Sequence, residues 1–267
     1  MTTRDGFRSK IGGLAAPPYT HGPYTFSEDI AFNGNTSIMP ERYVLTEYFN
    51  HTPGINADLS NAAEATRVPR NRHFEVLGTN GTSALATWST TNAALTITTA
   101  GADNDQMIIL PHLDTKQTAW TGIKWGTENQ VIWETAIKTG ASVATILIWA
   151  GLKLTNTPTI ATDDDQVFFR FSTADANTTW RCISSVGGTD TNTDSGVTVA
   201  ANTQYYFKIE IDSARKANFY INGTRVHRTG ALTDDVDLIP YIGVQALSAA
   251  ARAVNINYEK ISRILFE

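Results

Sequence analysis

Oxygen ligands for a hard cation are concentrated in two acidic segments of the chain: Asp163, Asp164 and Asp165, then Asp190, Asn192 and Asp194. Carboxylate oxygens are the ligands that Ca²⁺ prefers, and adjacent acids repel one another unless they face solvent or share a cation. The glycine and the closing glutamate of an EF-hand loop are missing. We therefore expect a solvated turn at Asp163–Asp165 and a loop at the second segment. A bound ion at Asp163–Asp165 is the alternative.

Histidine and cysteine give no pattern for metal binding or nucleophilic catalysis. The five histidines are scattered and form no His-x-x-x-His pair. The single cysteine, Cys182, alternates with its neighbours on a predicted strand, which predicts a small buried residue rather than a reactive thiol. The chain has no Gly-x-Ser-x-Gly, phosphate-loop or dinucleotide motif. We expect no metal-dependent chemistry and no cofactor.

Tryptophan rings are the residues that could bind a sugar by stacking. Most of the six tryptophans should pack in a core, because aromatic rings contribute large buried surfaces. Trp180 is the best candidate for an exposed ring, since Thr178, Thr179 and Arg181 flank it near a predicted loop. We predict Trp180 and Arg181 as a possible glycan-binding pair.

The elements that must position these residues are strands. Threonine, a β-branched residue that favours strands, occupies 38 of 267 positions. Apolar and polar residues alternate over Tyr205–Asp212, as in a half-buried antiparallel strand, and Asn222-Gly223 suits a type I′ hairpin. Segment 146–149 is apolar on both faces and should lie centrally, covered on each side.

Turn signals every eight to twelve residues divide the chain from about residue 43 into roughly thirteen strands, the pattern of a sandwich. The predicted strands are His73–Gly78, Leu85–Thr90, Ala94–Thr99, Met107–Leu110, Trp120–Trp125, Val131–Lys138, Ile146–Leu154, Val167–Ser172, Thr179–Ser184, Tyr205–Asp212, Ala217–Asn222, Ile239–Leu247 and Val254–Phe266. We predict an all-β fold of two antiparallel sheets, with no substantial helix.

Charge and hydropathy exclude several classes of protein. Charged residues make up only 18% of the chain and the net charge is −5, which does not fit the basic surface of a nucleic-acid-binding protein. The longest apolar run, Ile146–Ala150, is far shorter than the roughly 20 residues of a membrane span. We expect neither a nucleic-acid partner, nor a membrane partner, nor a signal peptide.

Residues 1–42 differ from the rest of the chain. Glycine and proline interrupt this segment repeatedly, and neither helical nor strand periodicity survives. Single aromatic residues recur through it, as anchors of an extended arm would: Phe7, Tyr19, Tyr24, Phe26 and Phe32. The arm could wrap its own domain, but we favour docking on a neighbouring subunit, with residues 43–267 forming the globular domain.

Four segments carry a resemblance to a known family: Tyr205–Asp212, Phe219–Val226, Tyr241–Gln245 and Val254–Ile261. Over about residues 70–267 the chain resembles the concanavalin A-like (laminin-G-like) jelly-roll family. In the overall character of its sequence it resembles the members of that family found in structural proteins of tailed bacteriophages. This resemblance implies a sandwich of two curved sheets. Such sandwiches bind carbohydrate, cleave glycans or build virions, and the fold does not decide among these roles.

The resemblance also provides a test for catalysis, because some glycoside hydrolases of this fold carry a Glu-x-Asp-x-x-Glu strand. Glu210 and Asp212 match its first two acids, but the third position is Arg215. Retaining hydrolysis needs two carboxyl groups about 5–5.5 Å apart. We therefore expect Glu210 and Asp212 to be solvent-facing strand residues, and we predict that the protein is not an enzyme.

The absence of a catalytic pattern, the threonine-rich sheet domain and the aromatic arm together favour a structural role. We predict a bacteriophage virion protein, a decoration or cement protein on the capsid head. It would be homo-oligomeric and attached through its arm to the major capsid protein or another virion subunit. The alternative is a tail-fibre or receptor-binding protein that recognises host glycans.

Overall fold

A computed structural model describes residues 42–49, 54–55, 74–111, 119–154 and 163–264. The chain divides into two compact units, of which Leu45–Arg263 is the larger and contains nearly all of the described strands. Of the smaller unit, residues 42–44 and Ile264 are described, and they lie in strands. None of the helices in the described ranges has the length and hydropathy needed to cross a membrane.

Strands dominate the described ranges. They are β1 (Arg42–Glu47), β2 (Gly54–Ile55), β3 (Phe74–Leu77), β4 (Ala86–Ser89), β5 (Ala94–Thr98), β6 (Gln106–Pro111), β7 (Ile132–Thr139), β8 (Ile146–Lys153), β9 (Gln166–Ser172), β10 (Thr179–Val186), β11 (Thr189–Thr198), β12 (Gln204–Ile211), β13 (Lys216–Ile221), β14 (Thr224–Ala231), β15 (Ile239–Ala246) and β16 (Ala253–Ile264). One α-helical turn, α1 (Ala119–Gly122), and two 3₁₀ turns, Ser83–Leu85 and Thr127–Asn129, complete the described elements.

The strands form two sheets. The first follows the order β14-β13-β12-β7-β16-β5-β4 with β1 as its eighth strand, and the second follows β11-β10-β9-β8-β15-β6-β3-β2. Pairing is antiparallel along both paths except between β2 and β3, which are parallel. The predicted all-β sandwich of two antiparallel sheets is confirmed.

Aromatic side chains from both sheets meet in the core between them. The ring centroid of Phe169, on β9, lies 4.6 Å from Phe207 and 5.1 Å from Phe219, which belong to the other sheet. Along β12, alternate residues from Tyr205 to Ile211 are buried, while Tyr206 is 55% exposed. The alternation predicted for this strand is confirmed, and it identifies the inner face of each sheet.

Turn chemistry sets the hairpin between β13 and β14. Asn222 and Gly223 both have positive φ, 52° and 81°, as the type I′ turn requires. The strand predicted at Trp120–Trp125 is wrong, because the chain forms helix α1 there. The loop predicted at Asp190–Asp194 is also wrong: these residues lie on β11, an edge strand whose polar sequence does not alternate.

Strand β8 lies between β9 and β15 and is buried along its whole length, as predicted for segment 146–149. Ile148 and Ala150 share the inner face with Phe169. Leu147, Trp149 and Lys153 therefore point to the opposite, outer face of the second sheet, because side chains alternate along a strand. Burial on that outer face is the feature that leads to the candidate site.

Candidate functional site

A cavity of about 220 Å³ lies on the outer face of the second sheet. Its apolar and aromatic lining consists of Leu147, Trp149, Phe168, Ile183 and Tyr241. Its polar lining consists of Lys153, Gln166, Arg170, Asp190, Asn192 and Gln245. An apolar pocket with a few convergent polar groups is the usual form of a small-ligand site.

Strand register brings this lining together. Tyr241 on β15 pairs with Gly151, Gly151 with Phe168, and Phe168 with Ile183, so that one cross-strand row runs through four strands. In the same register Ile183 pairs with Asn192 on edge strand β11. Residues in one row share a face of the sheet. Five strands therefore contribute to one continuous surface.

Two glycines on this surface, Gly151 on β8 and Gly243 on β15, allow neighbouring groups to approach the backbone closely. A Cβ atom at Gly151 would lie 2.5 Å from the Cα atom of Phe168, so the backbones of β8 and β9 could not approach as they do. At Gly243 a Cβ atom would meet Cε1 of Tyr241 at 3.4 Å. The Tyr241 ring thus leans along its own strand across Gly243.

Lys153 is a buried cation at the cavity. Its side chain is 4% exposed, and its Nζ atom lies 3.6 Å from Oδ2 of Asp163, which is 6% exposed. The same Nζ lies 4.7 Å from the ring centroid of Tyr241, within the range of a cation–π contact. Burial lowers the pKa of Lys153, and the neighbouring Asp163 carboxylate opposes that shift.

Tyr241 presents a hydroxyl group that has no hydrogen-bond partner within the part of the chain that the structure describes. The side chain is 1% exposed. Burial, and then the negative charge of Asp163, raise the pKa of Tyr241, so the hydroxyl stays protonated at neutral pH. A buried hydroxyl without a partner is unfavourable, so an acceptor at this position would stabilise it.

Arg170 supplies a second buried donor. Its Nη2 atom lies 2.7 Å from Oδ2 of Asp175, but its Nε atom is buried and has no partner among the described residues. Neighbouring Arg181 is neutralised differently: Nε donates to Asn192 Oδ1 at 2.8 Å and Nη1 lies 2.9 Å from Asp194. Arg170, a residue of the cavity lining, therefore keeps one N–H group without a partner among the described residues.

The remaining polar groups of the lining are already satisfied by one another or by nearby residues. Gln166 donates to Ser185 Oγ at 3.0 Å, Ser185 in turn donates to Asp190, and Gln245 donates to Asn104 at 2.9 Å. Lys153 and Arg170 line the cavity, but each is paired with a carboxylate, Asp163 and Asp175, and Asp190 adds a further carboxylate to the lining. The cavity therefore offers hydrogen-bond donors rather than a net positive charge.

Neither residue of the predicted glycan-binding pair, Trp180 and Arg181, lines this cavity. Trp180 is 0% exposed, because it lies on the inner face of β10 with its ring centroid 4.8 Å from Phe207. Its ring cannot stack on a sugar, so this prediction is wrong. Among the described residues, the exposed tryptophan is Trp88 on β4, at 40%. Arg181 lies on the outer face, in register with Arg170.

The acidic run at Asp163–Asp165 does not act as one cluster. Asp163 faces Lys153, the exposed Asp164 accepts a backbone hydrogen bond from Gly188 through its own carbonyl oxygen, and Asp165 accepts from the Gly187 N–H at 3.3 Å. No group of three His, Cys, Asp or Glu side chains within the described ranges is arranged to hold a metal ion. The run therefore holds loops and a lysine in place.

Two further sets of predicted residues can be located. Cys182 is buried, and burial raises the pKa of its thiol to about 12, which confirms a packing role. Glu210 pairs with Lys208 at 2.9 Å and Asp212 with Arg228 at 2.5 Å, so both carboxylates have surface partners on the first sheet. The predicted arm, residues 1–42 with anchors Phe7, Tyr19, Tyr24, Phe26 and Phe32, lies outside the described residues except for Arg42.

The residues that matter most at the cavity were missed from the sequence. Lys153 ends an otherwise apolar strand that is buried on both faces, and a lysine in such a place is unusual unless it has a partner. The sequence alone could therefore have indicated a buried, partnered lysine at this position. Tyr241 and Arg170 carried no such signal, because their roles depend on the register between distant strands.

Comparison with known proteins identifies the fold. No protein-family model matches the chain, and no curated protein sequence matches it. A protein of unknown function from Shewanella oneidensis MR-1 is similar in structure, with 14% identity and a TM-score of 0.54 over 93% of this chain and 96% of that chain. The β-glucanase of Bacillus licheniformis has 12% identity and a TM-score of 0.53 over 82% and 97%.

Alginate lyase A1-II′, of polysaccharide lyase family 7, has 14% identity and a TM-score of 0.51 over 72% of this chain and 96% of that chain. These similarities establish the concanavalin A-like jelly-roll fold that the sequence resemblance implied. They also overturn the prediction that the protein is not an enzyme, since enzymes are built on this fold. The substitution at Arg215 excluded one hydrolase motif only, and an elimination reaction does not need that motif.

Proposed function

We propose that this protein binds an acidic polysaccharide and seats one uronate unit in the cavity beside Tyr241. One observation carries the proposal: two buried donors without partners among the described residues, the Tyr241 hydroxyl and the Arg170 Nε–H group, belong to side chains that line the same cavity as Lys153. Donors without acceptors call for a ligand rich in acceptors, and an anionic acceptor forms the stronger, charge-assisted hydrogen bond with an arginine N–H group. A sugar carboxylate supplies such an acceptor.

The size and lining of the cavity support a single sugar unit. Its volume of about 220 Å³ is below the roughly 300–1,000 Å³ of pockets that enclose drug-sized ligands. Trp149 and Phe168 provide apolar surface against which the carbon face of a sugar ring can pack. Neighbouring units of the polymer would continue along the outer face of the sheet.

Cleavage by β-elimination is a second candidate function, and the Tyr241 hydroxyl favours it. Elimination from a uronate removes the proton next to the carboxylate, breaks the bond to the leaving oxygen and returns a proton to that oxygen. Asp190, the carboxylate in the described lining, can accept the first proton as the carbon–carbon double bond forms, a protonated tyrosine can donate the last proton to the leaving oxygen, and Arg170 and Lys153 can bind the sugar carboxylate. Hydrolysis through two carboxylates fits less well, because Asp190 is the single carboxylate in the described lining.

Similarity in fold to alginate lyases is consistent with both candidates. Alginate is an acidic polysaccharide, and the activity of those lyases applies to this chain only as part of the proposal. The virion and capsid-cement role, the tail-fibre alternative and the homo-oligomer stay predictions, because they depend on the arm and on partners. No observation on the described residues favours them over the acidic-glycan proposal.

The test is a comparison of acidic and neutral oligosaccharides by calorimetry. Oligomers of alginate, polygalacturonate and hyaluronan should bind, and neutral β-glucan oligomers should not. Tyr241→Phe removes one hydroxyl, which should weaken binding about tenfold for a lost hydrogen bond to a charged group. Tyr206→Phe, on the exposed surface of the other sheet, is the matched control and should bind as the wild type does.

The same oligomers allow the elimination reaction to be tested. Ultraviolet absorbance of an unsaturated uronate should rise with the wild-type protein and stay flat with Tyr241→Phe. Equal binding of acidic and neutral oligomers, or full binding by Tyr241→Phe, would contradict the proposed site. Binding without absorbance change would retain the binding function and reject the elimination.

A further inference from the structure

Two polar side chains of edge strand β11 line the same cavity as Tyr241, at its opposite end. Asp190 and Asn192 are both exposed, and both belong to the lining. Tyr241 and Asn192 lie in one cross-strand row and are separated by four strand spacings, or about 19 Å along the sheet at about 4.8 Å per spacing. A single sugar ring is shorter than this distance. Asp190 and Asn192 therefore face a different unit of a bound chain.

Neighbouring side chains hold one end of each of these two groups. Ser185 Oγ donates to Asp190 Oδ1, and Gln166 Nε2 donates to Ser185 Oγ at 3.0 Å. Ser185 is 1% exposed and Gln166 is 2% exposed, so this chain of hydrogen bonds is buried up to the carboxylate. Arg181 Nε donates to Asn192 Oδ1 at 2.8 Å. Both side chains are therefore held in a defined orientation before a ligand binds.

The two atoms that remain are an acceptor and a donor. Asp190 Oδ2 and Asn192 Nδ2 have no partner among the described residues. A carboxylate oxygen only accepts and an amide nitrogen only donates, whereas a hydroxyl group does both. A uronate carboxylate has no proton to give to Asp190 and is repelled by its charge. This end of the cavity therefore matches the hydroxyl groups of a sugar rather than its carboxylate.

We propose that Asp190 and Asn192 form a second subsite, which binds hydroxyl groups of another uronate unit and directs the polysaccharide across the strands from β15 towards β11. This inference rests on the proposed function and specifies the ligand as an oligomer that reaches both ends of the cavity. It deepens the binding function, because in the elimination candidate the same Asp190 oxygen would take the ring proton instead. Polymers with esterified hydroxyl groups should bind weakly.

Chain length separates the second subsite from the position beside Tyr241. Mannuronate monomer, titrated by NMR at the Tyr241 ring, measures that position alone, and mannuronate tetramer, measured by calorimetry, reaches both. The tetramer should bind the wild type at least about tenfold more tightly than the monomer. Asp190→Ala and Asn192→Ala should each lose most of this advantage and keep the monomer affinity. Thr191→Ala, an exposed residue on the opposite face of β11, is the matched control and should retain the advantage.

Acetylation of the tetramer tests the hydroxyl chemistry of the second subsite. Acetyl esters remove the hydroxyl protons, so they should weaken binding to the wild type more than binding to Asn192→Ala, which no longer contacts those groups. The difference between the two losses is the coupling between the side chain and the hydroxyl groups. Equal losses in the two proteins would contradict the inference.

The two proposals fail in different ways. A wild-type protein that binds neither the monomer nor the tetramer would refute the proposed function, and the second subsite with it. A wild-type protein that binds both with equal affinity would refute the second subsite alone. A tetramer advantage that Asp190→Ala and Asn192→Ala both retain would also refute it and leave the proposed function in place.

Discussion

Glu259 is a fully buried acid in the core of the sandwich, and replacing it with glutamine should make the protein's stability less dependent on pH. Trp133 Nε1 donates to its Oε1 atom at 2.7 Å, while Oε2 has no partner within the described ranges. Burial, partly offset by this hydrogen bond and assisted by the charge of Glu47, raises the pKa of Glu259 from 4.5 to about 8.

The raised pKa fixes the direction of the effect. The folded state holds the Glu259 proton more tightly than the unfolded chain, so its stabilising contribution is complete below pH about 4.5 and is lost as pH rises to about 8. Each pKa unit corresponds to about 1.4 kcal/mol, which makes the loss roughly 3–5 kcal/mol. Glu259→Gln keeps an acceptor for Trp133 and has no charge to desolvate.

Chemical denaturation at pH 5, 7 and 9 measures this difference. The free energy of unfolding of Glu259→Gln relative to wild type should increase with pH and level off above pH 8. Glu210→Gln, a surface acid paired with Lys208, is the control and should show a small effect at all three values. Parallel stability curves for Glu259→Gln and wild type would refute the reasoning.

Three further predictions concern packing. Gly151→Ala should destabilise the protein by about 1–3 kcal/mol, because the new Cβ atom would collide with the backbone of Phe168. Gly230→Ala is the control and should leave the stability unchanged, since its Cβ atom would meet open space. Equal thermal unfolding temperatures for the two variants would contradict this prediction. Cys182 should resist thiol reagents at pH 8 until the protein unfolds, as labelling kinetics would show; rapid labelling of the folded protein would contradict its burial. Trp180→Ala should cost about 3–5 kcal/mol by denaturation, and a neutral effect would contradict its place in the core.

The two-sheet fold could be predicted because its strands carry local signals. Alternation over Tyr205–Ile211 and the Asn222-Gly223 turn each act within a few residues, so the sequence displays them directly. Edge strand β11 was missed because it carries no such local signal. None of its residues is buried, although Thr193, Ser195 and Val197 on one face are half-buried, and its nearly all-polar sequence shows no apolar–polar alternation to detect.

The cavity could not be predicted from such local signals. Tyr241, Gly151 and Phe168 are separated by up to 90 positions in the chain and become neighbours only through strand register. Trp180 was misplaced because a tryptophan flanked by threonine suggests exposure, whereas the alternation of β10 turns the ring into the core. Lys153 alone carried a readable signal, a charge at the end of an apolar strand.

The most direct test of the proposed site is a crystal structure of the protein with an alginate oligomer. We predict a uronate carboxylate in the cavity, within hydrogen-bond distance of the Tyr241 hydroxyl and the Arg170 Nε atom, and near the Lys153 ammonium. An oligomer bound on another surface, with these donors still unpaired, would contradict it.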